Sequence, residues 1–139
     1  HRPRMDEFKD SYDPRVWVRI RRGENLSAAD LIDCHRNRAD IIARAREMAM
    51  PFDALLMPTC PTVAPPIAPL DNDEDAYGAA NIQMLRNTTV GNFLDSCGLS
   101  IPCHAPGTGP VGLMVLGATQ HDEWLVRIGL AIERALGRG

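Results

Sequence analysis

Five prolines fall within residues 58–69, at Pro58, Pro61, Pro65, Pro66 and Pro69. Proline fixes φ and removes a backbone donor, so neither a helix interior nor a central strand tolerates this spacing. The segment is expected to be a stiff, extended loop. It leaves a compact apolar run, Ala54-Leu55-Leu56-Met57, which lies between Pro51 and Pro58. Length and flanks favour a buried strand there. Ordered loops that leave a strand often border sites, because the scaffold behind them is rigid. The acidic run 71–75 lacks the glycine and distal glutamate of a calcium loop and reads as a solvated turn.

Around this centre the pattern is regular. Ser27 and Asp30 form a capping pair at a helix start. Ile32, Ala39, Ile42, Ala45 and Ala49 follow at helical spacing until Pro51, a length of about five to six turns. Arg36, Arg38, Arg44 and Arg46 fall mostly on other faces and read as solvated. Residues 81–96 predict a second helix through Ile82, Leu85, Phe93 and Leu94, capped by Gly98. A short strand is expected at 99–102. After a turn at 107–110, the wholly apolar run 111–116 predicts a strand buried on both faces, in the middle of a sheet with helices above and below. Asp122 and Glu123 open the last helix. Its stripe is Trp124, Leu125, Ile128, Ala131, Ile132 and Ala135, and Gly137 ends it.

The order helix, strand, helix, strand, strand, helix is that of an α/β layer, with helices packed on a small mixed sheet. Residues 1–23 read as an irregular segment with a turn at Tyr12-Asp13-Pro14. Within it Val16, Trp17, Val18 and Ile20 leave strand and short helix open. Residues 24–139 read as a single α/β domain. Its apolar strands want more neighbours than this chain supplies.

Composition narrows the function. With 139 residues the chain allows one domain of ordinary size. No apolar run approaches the roughly 20 residues of a membrane helix. A net charge of -3 and a pI near 5.8 argue against a nucleic-acid surface. Lys9 is the lone lysine among fifteen basic residues. Cys34, Cys60, Cys97 and Cys103 lack CxxC spacing and follow no secretory signal. They are expected to be free thiols in apolar surroundings, in a reducing, cytoplasmic compartment. The chain opens on His1, which reads as a processed form or a piece of something longer.

The chemical motifs are weak when taken singly. Residues 107–112 match GxGxxG, yet the stretch carries Pro110 and opens a strand, so a tight turn is expected rather than a dinucleotide site. Cys103 and His104 are adjacent, and neighbours in an extended strand point to opposite faces, which a thiol–imidazole pair does not tolerate. His1, His35, His104 and His121 have no ligand spacing for a metal. Ser96 and Ser100 lack the GxSxG elbow.

An ordered set of segments is more specific. Tyr12-Asp13-Pro14 with Arg19-Ile20 and residues 26–30 comes first. Phe52-Asp53-Ala54-Leu55-Leu56-Met57-Pro58-Thr59-Cys60-Pro61 then runs on to Ala64-Pro65. Asn92 with Gly98-Leu99-Ser100-Ile101-Pro102 follows, and residues 109–117 lead to the helix from Asp122. In this order they resemble the C-terminal part of amidase signature enzymes, over about residues 8 to 137.

The resemblance implies hydrolytic C–N cleavage without cofactor or metal. A serine attacks the amide carbonyl, assisted by a second serine on a cis peptide and by a lysine, and backbone N–H groups hold the oxyanion. In the family these groups lie upstream of the matched segments, and Lys9 is at no matching position. The resemblance therefore implies a C-terminal portion, inactive alone, of the larger α/β/α sandwich. Its partners would be the remainder of the amidase chain and a small-molecule amide.

Thr59, Cys60 and Pro61 are candidates for the wall of the acyl pocket, or for a structural turn. Arg19 falls near where the glutamine-hydrolysing subunit of the tRNA-dependent amidotransferase is expected to hold a carboxylate, or is a surface arginine. The acidic residue of that enzyme is replaced here by Leu85. Two rivals are a non-catalytic module that binds a partner through exposed strand edges, and a thiol hydrolase using Cys103. Cut sheet edges also predict self-association.

Overall fold

The computed structural model describes residues 2–5 and 7–137, so His1 lies outside the described residues. Contacts group the chain into two compact units, residues 1–39 and 40–139.

The first unit holds short 3₁₀ turns at Arg2–Arg4, Lys9–Ser11 and Arg22–Asn25, and the helix α1 (Pro14–Arg21). The stretch that sequence left open between strand and helix is therefore helical. The reason is local. Asp13 accepts from the Arg15 amide at 2.8 Å, and Pro14 occupies the first turn, where no donor is needed. Trp17 packs against Tyr12 with ring centroids 5.6 Å apart.

Helix α2 (Ala28–Ala49) begins where the capping pair places it. Ser27 Oγ and its amide both donate to Asp30 Oδ2, at 2.7 and 2.8 Å, while the Asp30 amide donates back to Ser27 Oγ at 3.1 Å. These hydrogen bonds from Ser27 hold the Asp30 carboxyl below its ordinary value.

In the second unit, β1 (Leu55–Pro58) leads into the proline loop. The loop bends at residues 59–62 and runs without regular structure only as far as Pro66; a short helix α3 (Ile67–Asp71) then includes Pro69. Pro69 fits because it lies in the first turn, where its missing N–H costs nothing. Helix α4 (Glu74–Leu94) starts seven residues before the expected position. Asp73 caps it, accepting from the Ala76 amide at 2.9 Å. The acidic run is thus a helix N-terminus, where Glu74 and Asp75 suit the macrodipole. Its C-cap is Asp95 at φ 60°, not Gly98. Gly98 lies instead within β2 (Cys97–Pro102).

The sheet is completed by β3 (Gly112–Gly117), and α5 (Asp122–Ala135) follows. Strand order is β1-β3-β2. Both pairings are antiparallel, with Leu56 and Leu99 flanking Val115, so within this chain the sheet is not mixed.

Central β3 is where the core sits. Val115 is 0% exposed and packs with Ile101 and Leu125 under α5. On the opposite face Leu116 meets α4 at Gly91, where an added Cβ would lie 3.0 Å from Leu116 Cδ2. One helix thus covers each face of β3, as its apolar run requires. The α5 stripe is narrower than the sequence suggests: Leu125 and Gly129 are buried, with Ile128 and Ile132 packed against the core. Trp124, Ala131 and Ala135 are exposed. In β1, Leu55 and Leu56 are exposed rather than buried, because among the described residues nothing covers this edge strand fully.

The cysteines are all free, but none is buried: Cys34 and Cys103 are exposed and Cys60 and Cys97 half-buried. Cys97 Sγ satisfies itself by donating to Ala118 O at 3.0 Å. Among the described residues, no helix is long and apolar enough to cross a membrane.

Two outcomes test this packing. Leu125→Ala removes a side chain that is 2% exposed and is expected to lower the unfolding free energy by about 2–5 kcal/mol. Val126→Ala, on the exposed side of the same helix, should stay within about 0.5 kcal/mol. Urea titration of both variants compares them, and equal losses would show that α5 packs by another face.

The second concerns the α2 cap. A carboxyl depressed by native hydrogen bonds contributes stability above its unfolded pKa and loses it as pH falls through the lower folded value. Asp30 should therefore titrate with an NMR midpoint below its ordinary 3.8. In Ser27→Ala that midpoint should move back up toward 3.8, and no movement would remove the cap from the account.

Candidate functional site

Beside the start of the proline loop lies an open groove of about 540 Å³, within the second unit. Three of the four residues singled out in sequence line it together: Thr59, Cys60 and Pro61. All three are half-buried. Arg19, the fourth, is an exposed residue of α1, in the first unit.

The groove is shaped from three directions. Pairing of β1 with β3 continues one residue past the strand, as the Thr59 amide donates to Gly112 O at 2.8 Å. Thr59 Oγ1 and Ser100 Oγ share a hydrogen bond of 2.6 Å across the sheet, over the backbone of Gly112. Only glycine fits below this pair, since a Cβ at 112 would lie 2.5 Å from Ser100 Oγ and 2.7 Å from Thr59 Oγ1. From α4, Asn87 Nδ2 donates to Pro58 O at 2.7 Å, and Thr62 Oγ1 donates to Met84 Sδ at 3.3 Å. These contacts hold the loop where it leaves the sheet.

Ser100, Met84 and His104 line the groove as well, and sequence reading did not place them there. For Ser100 a signal existed. It alternates with Leu99 and Ile101, so a strand turns it to the face opposite the core. His104 lines the groove, whereas Cys103 turns its Sγ to Val111 O at 3.6 Å. The two do not form a thiol–imidazole pair. Leu85 is an exposed residue of α4 whose carbonyl accepts from Thr88 and Thr89 hydroxyls.

Residues 107–111 belong to the connection between antiparallel β2 and β3, and Gly112 opens β3. Gly107 takes φ +79°, and Thr108 closes a turn on Ala105 O. A dinucleotide fingerprint needs a helix N-terminus there, and this connection runs into a strand. Among the described residues no group of His, Cys, Asp or Glu is placed to hold a metal.

A second hollow, of about 460 Å³, lies between the later turns of α2 and the other end of the sheet. Its rim is tied by Arg46 Nη2 donating to Thr119 Oγ1 at 2.8 Å, and Thr119 Oγ1 donating to Asp95 O at 2.6 Å. None of the residues singled out as substrate-binding lines it.

Comparisons with known proteins agree on one family. The family model Amidase matches residues 5–126. The 2-amino-5-chloromuconic acid deaminase of Comamonas testosteroni is 31% identical over 128 residues, which is 91% of this chain and 28% of that protein. A glutamyl-tRNA(Gln) amidotransferase subunit of Salinispora tropica is 28% identical, over 91% of this chain and 26% of its own length. Indoleacetamide hydrolase of Rhizobium radiobacter is 38% identical over 94 residues, 62% of this chain and 19% of that protein. A solved structure, described as the crystal structure of amidase, superposes with a TM-score of 0.81 at 25% identity. It covers 99% of this chain and 32% of that one. The chain thus spans about a fifth to a third of the length of these relatives, and over that span it belongs to the amidase family.

Proposed function

We propose that this chain is the C-terminal portion of a longer amidase, whose whole hydrolyses a carboxylic amide to an acid and ammonia or an amine. The observation that carries the reading is the family match over residues 5–126, on a chain that covers only 28% of its deaminase relative. On this reading a serine nucleophile, a second serine on a cis peptide and a lysine lie in the upstream part. This chain then supplies scaffold and pocket wall, through Thr59, Cys60 and Pro61, and no catalytic residue. Its one lysine, Lys9, lies in a 3₁₀ turn of the first unit, away in sequence from every groove residue. Neither cofactor nor metal takes part, and the compartment is the cytoplasm. The partners are the remainder of the chain and the amide, not nucleic acid or membrane. Arg19 stays a candidate contact for a substrate carboxylate.

A second reading has an observation of its own. The outer edge of β1 carries no charged residue, and Leu56 on it is 55% exposed. Such an edge suits a non-catalytic module that adds a partner's strand.

Ammonia release from a panel of aliphatic and aryl amides separates these readings. The 139-residue chain alone should give no release above blank. The same chain preceded by a serine- and glycine-rich signature and its lysine should turn over. Steady release by the short chain would put the nucleophile inside it, with Cys103 the first residue to replace. No release by the longer protein on any amide would favour the interaction module.

The exposed edge has a further consequence for the isolated chain. It should form dimers or larger assemblies, measured by light scattering, and Leu56→Lys should reduce them toward monomer. A clean monomer of the parent sequence at all workable concentrations would count against an accessible edge.

A further inference from the structure

The groove beside the proline loop is chemically one-sided. Among the described residues that line it there is no Asp, Glu, Lys or Arg. Its walls are apolar, from Val63, Met84, Pro102, Pro110 and Val111. The threonine and serine hydroxyls of its lining are already engaged: Thr59 with Ser100 at 2.6 Å and Thr62 with Met84 Sδ at 3.3 Å, while the Thr59 amide donates to Gly112 O at 2.8 Å. A carboxylate or ammonium placed against this lining would give up hydration and meet no Asp, Glu, Lys or Arg, with His104 the one basic side chain in the lining. An aryl or branched alkyl group would lose nothing polar and would gain by leaving water. The volume of about 540 Å³ is ample for such a group.

Building on the amidase reading, we infer that the groove receives an uncharged, apolar substituent of the substrate, so that neutral aryl or branched alkyl amides bind there and amides of charged amino acids do not. The proline loop is the specificity wall, with Val63 and Met84 as its contact residues. Both stand on separate segments, so the wall closes on its occupant from the loop and from α4.

Binding to the 139-residue chain tests this directly. Of the six methionines, Met84 lines the groove, while Met48 is exposed and lines neither hollow. With isotope-labelled methionine methyl groups, and Met84→Leu to assign the signal, phenylpropanamide and glutamine are titrated in parallel by NMR. Phenylpropanamide should shift the Met84 methyl saturably and leave Met48 still. Glutamine should bind at least about 10-fold more weakly. Val63→Asp, at an exposed loop position whose fold is checked by circular dichroism, should abolish the shift, and Val63→Leu should retain it.

A glutamine shift as strong as that of phenylpropanamide, a silent Met84, or equal movement of Met48 each overturns the assignment. The readout is binding and not turnover, so the two readings fail separately. Hydrolysis of neutral amides by the longer protein with a silent Met84 would remove the groove and keep the reaction. A saturable Met84 shift with no turnover would do the reverse.

Discussion

The contacts on the two faces of β3 set everything else in the second unit. Val115 against Leu125 fixes α5 on one face, and Leu116 against Gly91 fixes α4 on the other. The second contact reaches furthest. A glycine at 91 lets the α4 backbone come close to the strand, and that approach brings Asn87 to Pro58 O and Met84 to Thr62. The groove wall is therefore positioned by packing on its far side. A larger side chain at 91 would move the helix, and with it the loop, without touching the groove.

Sequence disclosed the elements whose causes are local. The Ser27–Asp30 cap needs residues three apart, and the apolar run of β3 announces a strand covered on both faces. It failed where one residue type has two uses. Asp73, Glu74 and Asp75 suit a solvated turn and a helix N-terminus equally well, and only the continuation of α4 decides between them. Pro69 breaks a helix interior but is harmless in a first turn, so the proline count overstated the length of the loop.

The candidate site was half legible for the same reason. A stiff loop leaving a strand marks Thr59, Cys60 and Pro61 from their own neighbourhood. Ser100 joins them through hairpin register: pairing of β2 with β3 sets Ser100 opposite Met114, and pairing of β1 with β3 sets Met57 there too. That brings together residues 41 apart in sequence. Met84 depends on the helix packing already described. No spacing rule reaches across such contacts. Arg19 was suggested by resemblance alone, and its own neighbourhood, an exposed turn of α1, carries no signal of a site.

Burial in this chain is thin for its length. Among the described residues six hydrophobic side chains are buried, and Val115 alone is fully so. A domain of about 150 residues ordinarily buries more than two-thirds of the surface of its unfolded chain. Many large apolar residues here, Ile82 and Leu56 among them, stay exposed. On the proposed reading this surface has an occupant in the longer protein. The edge of β1 can pair only once, since each outward N–H and C=O serves one neighbouring strand. A second copy of the chain and an upstream segment therefore compete for one site and exclude each other. On that reading, self-association expected of the isolated chain and its expected absence from the longer protein would be two expressions of the same unprotected edge. The edge has Pro58 at one end and no charge along its length, so nothing in β1 itself favours either occupant. On the proposed reading an upstream strand would win by effective concentration, because it would be tethered and the second copy is not.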